Sequence, residues 1–253
     1  MIRTKEGLVS IITPTYNSEK FISETIESIK AQSYTNWELL ITDDCSTDNT
    51  IEVIQKFTKS DKRIKLFKLK ENSGAGIARN TSIKNATGTF IAFCDSDDQW
   101  LPEKLATQIS FMQKNDLRFT YSSYYTIDTN GNRKGIIAAP SKLTYSMLLR
   151  NNYVGCLTAI YNQEKLGKIY MSEIRKRQDW TLWLKIMGKL QYTCGIQEPL
   201  AIYRIRPNSV SSKKISLLQI TYNLYRKELN MGMIKSIFYL FRYLFYLVKK
   251  KIS

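Results

Sequence analysis

Two spacings of apolar residues alternate along the first hundred positions. Solid apolar runs at 8–13 (LVSIIT), 37–42 (WELLIT), 64–69 (IKLFKL) and 89–94 (TFIAFC) are too short for buried helices and rich in β-branched residues. They predict strands buried on both faces. Between them, apolar residues return every three or four positions. In 18–32, Phe21, Ile22, Thr25, Ile26 and Ile29 share one helical face, with Ser18 as candidate N-cap. Helices are predicted likewise over 46–59 and 76–86. The alternation gives βαβ units and a mostly parallel sheet covered by helices on both sides.

The second half is less regular. A helix is predicted over 101–114, with Pro102 near its start where proline is tolerated. Residues 118–128 and 133–139 form a hairpin through Asn130-Gly131. Another helix spans 178–190, and 192–211 reads as strand followed by exposed loop.

In such sheets ligands bind beyond the carboxyl ends of the strands. Those ends carry Pro14-Thr15-Tyr16-Asn17, Asp43-Asp44 and Asp95-Ser96-Asp97, so the three groups converge on one crevice. Aspartates at i and i+2 supply hard oxygen ligands of the kind Mg²⁺ or Mn²⁺ takes, with substrate phosphates completing the shell. A polar turn is the competing account. At the second strand end, Asp44 is assigned to a nucleotide and Ser46 or Thr47 to capping the next helix. Gly74-x-Gly76 lacks the third glycine of a dinucleotide fingerprint. The loop leads to a helix bearing Arg79, which either meets phosphates or is structural.

Composition narrows the chemistry. The chain has 253 residues and no histidine. That excludes Ser-His-Asp and Cys-His machinery and leaves a carboxylate as the first choice of general base. Cys45, Cys94, Cys156 and Cys194 are widely spaced and make no C-x-x-C pair, which predicts free thiols in a reducing cytoplasm. The net charge is +16, and residues 213–253 hold nine basic residues against one acidic one. Within 233–253, Lys235, Arg242 and Lys249 recur every seven residues beside dense Phe, Tyr and Leu. The uncharged run is shorter than the ~20 residues a bilayer span needs. An interfacial helix on anionic lipid is predicted, with a core-packing helix as the alternative.

The motifs together resemble the family 2 glycosyltransferases: VSIITPTYN (9–17), DDCSTDNT (43–50), GAGIARN (74–80), FCDSDDQWLPEKL (93–105), RQDWTLWLKI (177–186) and YRIRPNSVS (203–211). The resemblance covers residues 8 to about 211. It implies the GT-A fold of the nucleotide-diphospho-sugar transferases, an α/β fold with a mostly parallel central sheet. Residues 1–212 would be the catalytic domain, with a nucleotide-binding half (1–100) and an acceptor half (101–212). Residues 213–253 would be a helical tail.

The resemblance also implies roles. Pro14, Tyr16 and Asp44 would hold the uracil or ribose of a UDP-sugar, with Arg79 nearby. Asp95, beside Ser96, would face ribose and donor sugar, and Asp97 would bind Mn²⁺ or Mg²⁺ on the diphosphate. Asp179 would be the general base of an inverting transfer; its competing role is a helix N-cap. Arg204 and Ser209 would lie in a mobile segment closing on the diphosphate. Asp98 is left as structural or capping, and Trp100 as packing beneath the site, with a wall for the donor sugar as the alternative. Two positions depart from the family pattern: Gln178 replaces a common Glu, and Arg206 stands where many relatives carry a metal-binding His. The acceptor would be a glycan or an undecaprenyl-diphosphate-linked oligosaccharide for capsule or O-antigen. The enzyme would sit peripherally on the inner face of the cell membrane, with no nucleic acid involved. The alternatives are a nucleotidyltransferase acting on sugar phosphates and a basic nucleic-acid-binding module.

Overall fold

In the computed structural model of the protein, residues 7–172, 174, 176–206 and 214–252 are described. The first half follows the predicted alternation: β1 (Val9–Thr15), α1 (Ile22–Lys30), β2 (Trp37–Asp43), α2 (Thr50–Ser60), β3 (Ile64–Lys68), α3 (Ala75–Asn85) and β4 (Phe90–Phe93). The second half continues with β5 (Gln99–Trp100), α4 (Lys104–Lys114), β6 (Phe119–Ile127), β7 (Arg133–Ile137), β8 (Lys142–Leu143) and α5 (Tyr145–Leu148). There follow β9 (Ile160–Asn162), α6 (Gln163–Leu166), α7 (Gln178–Met187), β10 (Thr193–Arg204), α8 (Lys214–Asn223) and α9 (Met233–Ile252).

One mixed sheet runs β3-β2-β1-β4-β9-β6-β10-β5, with β7 on β6 and β8 on β10. The four strands β3, β2, β1 and β4 are parallel, β9 runs against β4, and β10 is parallel to β6. Each central strand is buried on both faces. Val9 and Ile11 pack with Ile22, Ile26 and Ile29 of α1 and Leu105 of α4. Ile12, Leu40 and Phe93 face the other way, into a core shared with α3, α7 and the C-terminal helices. This double burial is why the strands read as solid apolar runs.

The second core is aromatic. Trp183 stands edge-on to Phe93 at 5.5 Å and stacks on Phe119 at 5.4 Å. Trp180 meets Tyr225 and Tyr243 from the C-terminal segment. The C-terminal helix is therefore seated on this core through one stripe of α9, with Ser236 and Tyr243 buried and Tyr239 and Leu240 packed beside them.

The opposite stripe of α9 is bare. Ile234, Phe241 and Phe245 are 83%, 67% and 73% exposed, and Ile237, Phe238 and Val248 are exposed too. Lys235, Arg242 and Lys249 run between the two stripes. The core-packing reading of this segment holds for one face of the helix, and the other face leaves its apolar side chains uncovered. No described helix is long and apolar enough to cross a membrane.

Candidate active site

The sheet parts between β1 and β4. Their last registered pair is Ile12↔Phe93, beyond which β1 continues alone beside β2 to Thr15. Pro14 sits past that point, where its missing N–H leaves no gap in the β4 ladder. β1 delivers the exposed ring of Tyr16 to the crevice, and β4 delivers the acidic loop from Asp95 to Asp98. Ser96 is buried, and its hydroxyl shares a hydrogen bond of 2.8 Å with that of Ser18. This contact ties the two strand ends together.

Each acid of the loop has its own partner. Asp95 forms an ion pair with the buried Arg79 of α3 at 2.6 Å. Asp97 forms one with the half-exposed Arg206 at 2.6 Å. Asp98 is buried and accepts the Arg204 backbone N–H at 3.1 Å, so it anchors β10 to the loop and caps no helix. Burial raises the Asp97 carboxyl above the usual aspartate range, against the pull of Arg206. Burial and the neighbouring carboxylates, Asp97 before Asp95, raise Asp98 further. Trp100 is buried below and donates its indole N–H to Leu157 O at 2.8 Å, the packing role expected of it.

Asp44 accepts the backbone N–H groups of Ser73 and Gly74 at 2.7 and 2.8 Å, so it shapes the loop that starts α3. Gly74 has φ of +93°, a conformation that suits glycine. Two residues on, a Cβ at Gly76 would collide with the side-chain amide of Gln178. Glycine there lets α7 approach α3, which brings Asp179 towards Arg79.

Asp179 is in the first turn of α7, whose N-cap is Arg177, so Asp179 is not the cap. Its Oδ2 accepts a hydrogen bond from Asn152 Nδ2 at 2.9 Å. Burial pushes its carboxyl above the ordinary aspartate range. The Trp180 amide, Arg79 and the Asn152 hydrogen bond pull it back, and Asp95 adds to the rise. The charge on Arg79 is held in place mainly by Asp95, with Asp179 adding to it, in spite of burial. One guanidinium thus lies in the field of both carboxylates.

Several expected positions differ. Ser18 does not cap α1 through its hydroxyl, which turns to Tyr16 O and Ser96. Ser46 donates to Asp43, while Asp48 accepts the Thr50 N–H at the start of α2, so capping falls to neither Ser46 nor Thr47. Arg204 is 4% exposed at the end of β10. Its guanidinium donates to Glu24 at 2.6 Å and to Asp97 O at 3.2 Å. It clamps α1 to the acidic loop, and Arg206 is the guanidinium at its mouth. Ser209 lies outside the described residues. Glu24 and Asn152 carry no signal in the sequence: their partners are 180 and 27 positions away.

Among the described residues no group of three metal-ligating side chains forms. Of the two ion-paired acids of the loop, Asp97 has the more exposed partner. Its hard oxygens suit Mg²⁺ or Mn²⁺ as a single protein anchor, with the remaining ligands from diphosphate and water. The residues present fit an ion held by a single protein carboxylate.

Residues 10–170 match the profile of glycosyl transferase family 2. The chain belongs to that family. As a family 2 glycosyltransferase it is 40% identical over 246 residues to WfgD of Escherichia coli, a UDP-Glc:α-D-GlcNAc-diphosphoundecaprenol β-1,3-glucosyltransferase, covering 96% of this chain and 94% of the relative. It is 39% identical to TuaG of Bacillus subtilis (strain 168), a candidate glycosyltransferase of teichuronic acid biosynthesis, covering 97% and 98%. The fold is that of TarS from S. aureus in complex with UDP-GlcNAc, with a TM-score of 0.72 at 24% identity over 93% of this chain and 71% of that one. The architecture is the GT-A fold, and the protein is a glycosyltransferase.

Proposed function

We propose that this enzyme moves a sugar from a UDP-sugar to a hydroxyl of a lipid-linked glycan, with inversion, in the synthesis of a cell-surface polysaccharide. The observation that carries the mechanism is the setting of Asp179. A carboxylate raised above its usual range, hydrogen-bonded by Asn152 and sharing the field of Arg79 with Asp95, is what a general base at a donor site requires. Its relatives support the substrate class: WfgD takes UDP-glucose and an undecaprenol-linked acceptor.

In this reading Tyr16 and Pro14 bind the uracil and ribose, on a loop frame that Asp44 holds in shape. Asp95, fixed by Arg79 and flanked by Ser96, orients the ribose and donor sugar. Asp97 anchors the divalent ion, Mn²⁺ or Mg²⁺, which when bound supplies Lewis-acid neutralisation of the departing diphosphate. Arg206 turns from Asp97 to that diphosphate. Arg204 keeps the acidic loop in place from below. Asp179 takes the proton from the acceptor hydroxyl as the oxygen bonds to the anomeric carbon and the diphosphate leaves from the opposite face.

The bare stripe of α9 gives the enzyme its place, on an anionic lipid surface at the inner face of the membrane. Six exposed apolar residues beside three basic ones match the headgroup boundary in chemistry and in charge. α9 then forms a seat that grips the catalytic core with one face and lipid with the other. Release of UDP from a panel of UDP-sugars, with a short-chain lipid-linked acceptor, tests the reading. Transfer with UDP as product supports it, and pyrophosphate as product contradicts it.

A further inference from the structure

Two guanidiniums near the base each keep one N–H unpaired among the described residues. These are the Nε–H groups of Arg150 and Arg177, both buried without a hydrogen-bond acceptor among the described residues. A buried N–H without an acceptor costs about 1–3 kcal/mol, so two in one neighbourhood point to a missing anion. Arg177 is also held at a φ of +61°, an unfavourable conformation for a long side chain.

Their surroundings are specific. Arg177 stands two residues before Asp179, lies over the rings of Trp180 and Tyr243, and donates to the Tyr243 hydroxyl at 2.8 Å. The turn bearing Arg150 follows α5, whose end is held by the same tryptophan and its neighbour: Trp180 donates to Leu148 O, and Tyr225 to Leu149 O. Two residues beyond Arg150, Asn152 holds the base. The next residue, Tyr153, meets Tyr246 of α9 with ring centroids 5.7 Å apart. Three features thus follow one another: the Asp179 carboxylate, a pair of partly open guanidiniums, and the aromatic flank of α9 leading to its bare apolar stripe.

We infer that Arg150 and Arg177 form the site for the diphosphate of the lipid-linked acceptor, between the general base and the membrane-facing helix. The order of groups on the protein repeats the order on such an acceptor. The reacting sugar hydroxyl meets Asp179, the diphosphate one ring away meets the two arginines, and the polyprenyl chain passes along Tyr153 and Tyr246 towards lipid. Guanidiniums bind phosphate oxygens through paired N–H groups, which would satisfy the two buried donors. This inference rests on the proposed lipid-linked acceptor and adds the residues that recognise it.

Calorimetry with farnesyl diphosphate, on full-length enzyme kept saturated with UDP and Mg²⁺, tests it. The wild type binds farnesyl diphosphate with UDP in place, and binds inorganic pyrophosphate more weakly. Arg150→Gln with Arg177→Gln weakens farnesyl diphosphate by about tenfold or more, the loss expected for charge-assisted hydrogen bonds. UDP affinity in the same samples reports folding. Should the double variant lose UDP as well, the single variant Arg150→Gln is measured in its place. Equal affinity of wild type and variant for farnesyl diphosphate overturns the inference, as does displacement of farnesyl diphosphate by UDP. Pyrophosphate binding as tightly as farnesyl diphosphate removes the lipid from the assignment. A wild type that binds no UDP overturns the donor reading instead.

Discussion

Asn152 donates its side-chain amide to Oδ2 of Asp179 at 2.9 Å, across 27 positions of sequence. The bond favours the charged carboxylate, whereas burial favours the neutral acid. Asn152→Leu removes the stabilising partner and leaves the burial. The acid limb of the kcat/KM profile then moves to higher pH, and the rate recovers as pH rises. A pH profile of transfer checks this. An unmoved or lowered limb would separate Asn152 from the base.

The pair of Asp97 and Arg206 predicts competition. With the guanidinium 2.6 Å from the carboxylate, a metal ion meets a partner already in place. Arg206→Ala should raise Mn²⁺ affinity of the nucleotide-free enzyme by roughly twofold to fivefold, about the worth of a partly exposed ion pair. Electron paramagnetic resonance of unbound Mn²⁺ reads it without turnover. Unchanged or weaker binding would contradict a role for Asp97 as the anchor.

Lys104 has no exposed surface and no hydrogen bond to its ammonium, which lies 3.9 Å from the centre of the Trp100 ring. Burial brings its pKa down to about 7. Between there and the ordinary lysine value the folded form is neutral and the unfolded form charged. Unfolding then takes up a proton, and stability rises with pH across that window. Lys104→Met should therefore stabilise the fold at pH 7 by on the order of 1–3 kcal/mol, with the gain shrinking as pH rises towards the lysine value. Thermal melts at a series of pH values show whether it does.

The bare stripe of α9 makes a separate prediction. Phe241→Ser with Phe245→Ser removes two exposed rings. Burying a phenylalanine contributes about 1.5–3 kcal/mol, so partition onto phosphatidylglycerol vesicles should fall by about a hundredfold or more. Hydrolysis of UDP-sugar in solution is the control for folding. Co-sedimentation unchanged from wild type would refute the lipid surface.

How far each feature was legible follows from where its partners lie. β1, β2 and β4 declare themselves because both faces are buried, so each strand is a solid apolar run. The caps near the crevice were misleading for a physical reason. Ser18 and Ser46 have the chemistry of caps, yet their hydroxyls bond across the crevice and to Asp43. Arg204 and Asp98 were recognisable as polar residues near the site, but not as partners, since 106 positions separate them. In α9, periodicity shows the basic stripe between apolar flanks. Only the packing of Ser236 and Tyr243 shows which flank the core takes.

The account depends most on Asp179 as the base. The direct test is single-turnover transfer from a UDP-sugar to a lipid-linked acceptor, with UDP-sugar affinity measured beside it, for wild type and Asp179→Asn. Loss of a positioned base costs typically 10²–10⁴-fold. The account predicts a fall of about that size in transfer, with donor affinity within a few-fold of wild type. Transfer by Asp179→Asn at a rate near wild type would contradict it.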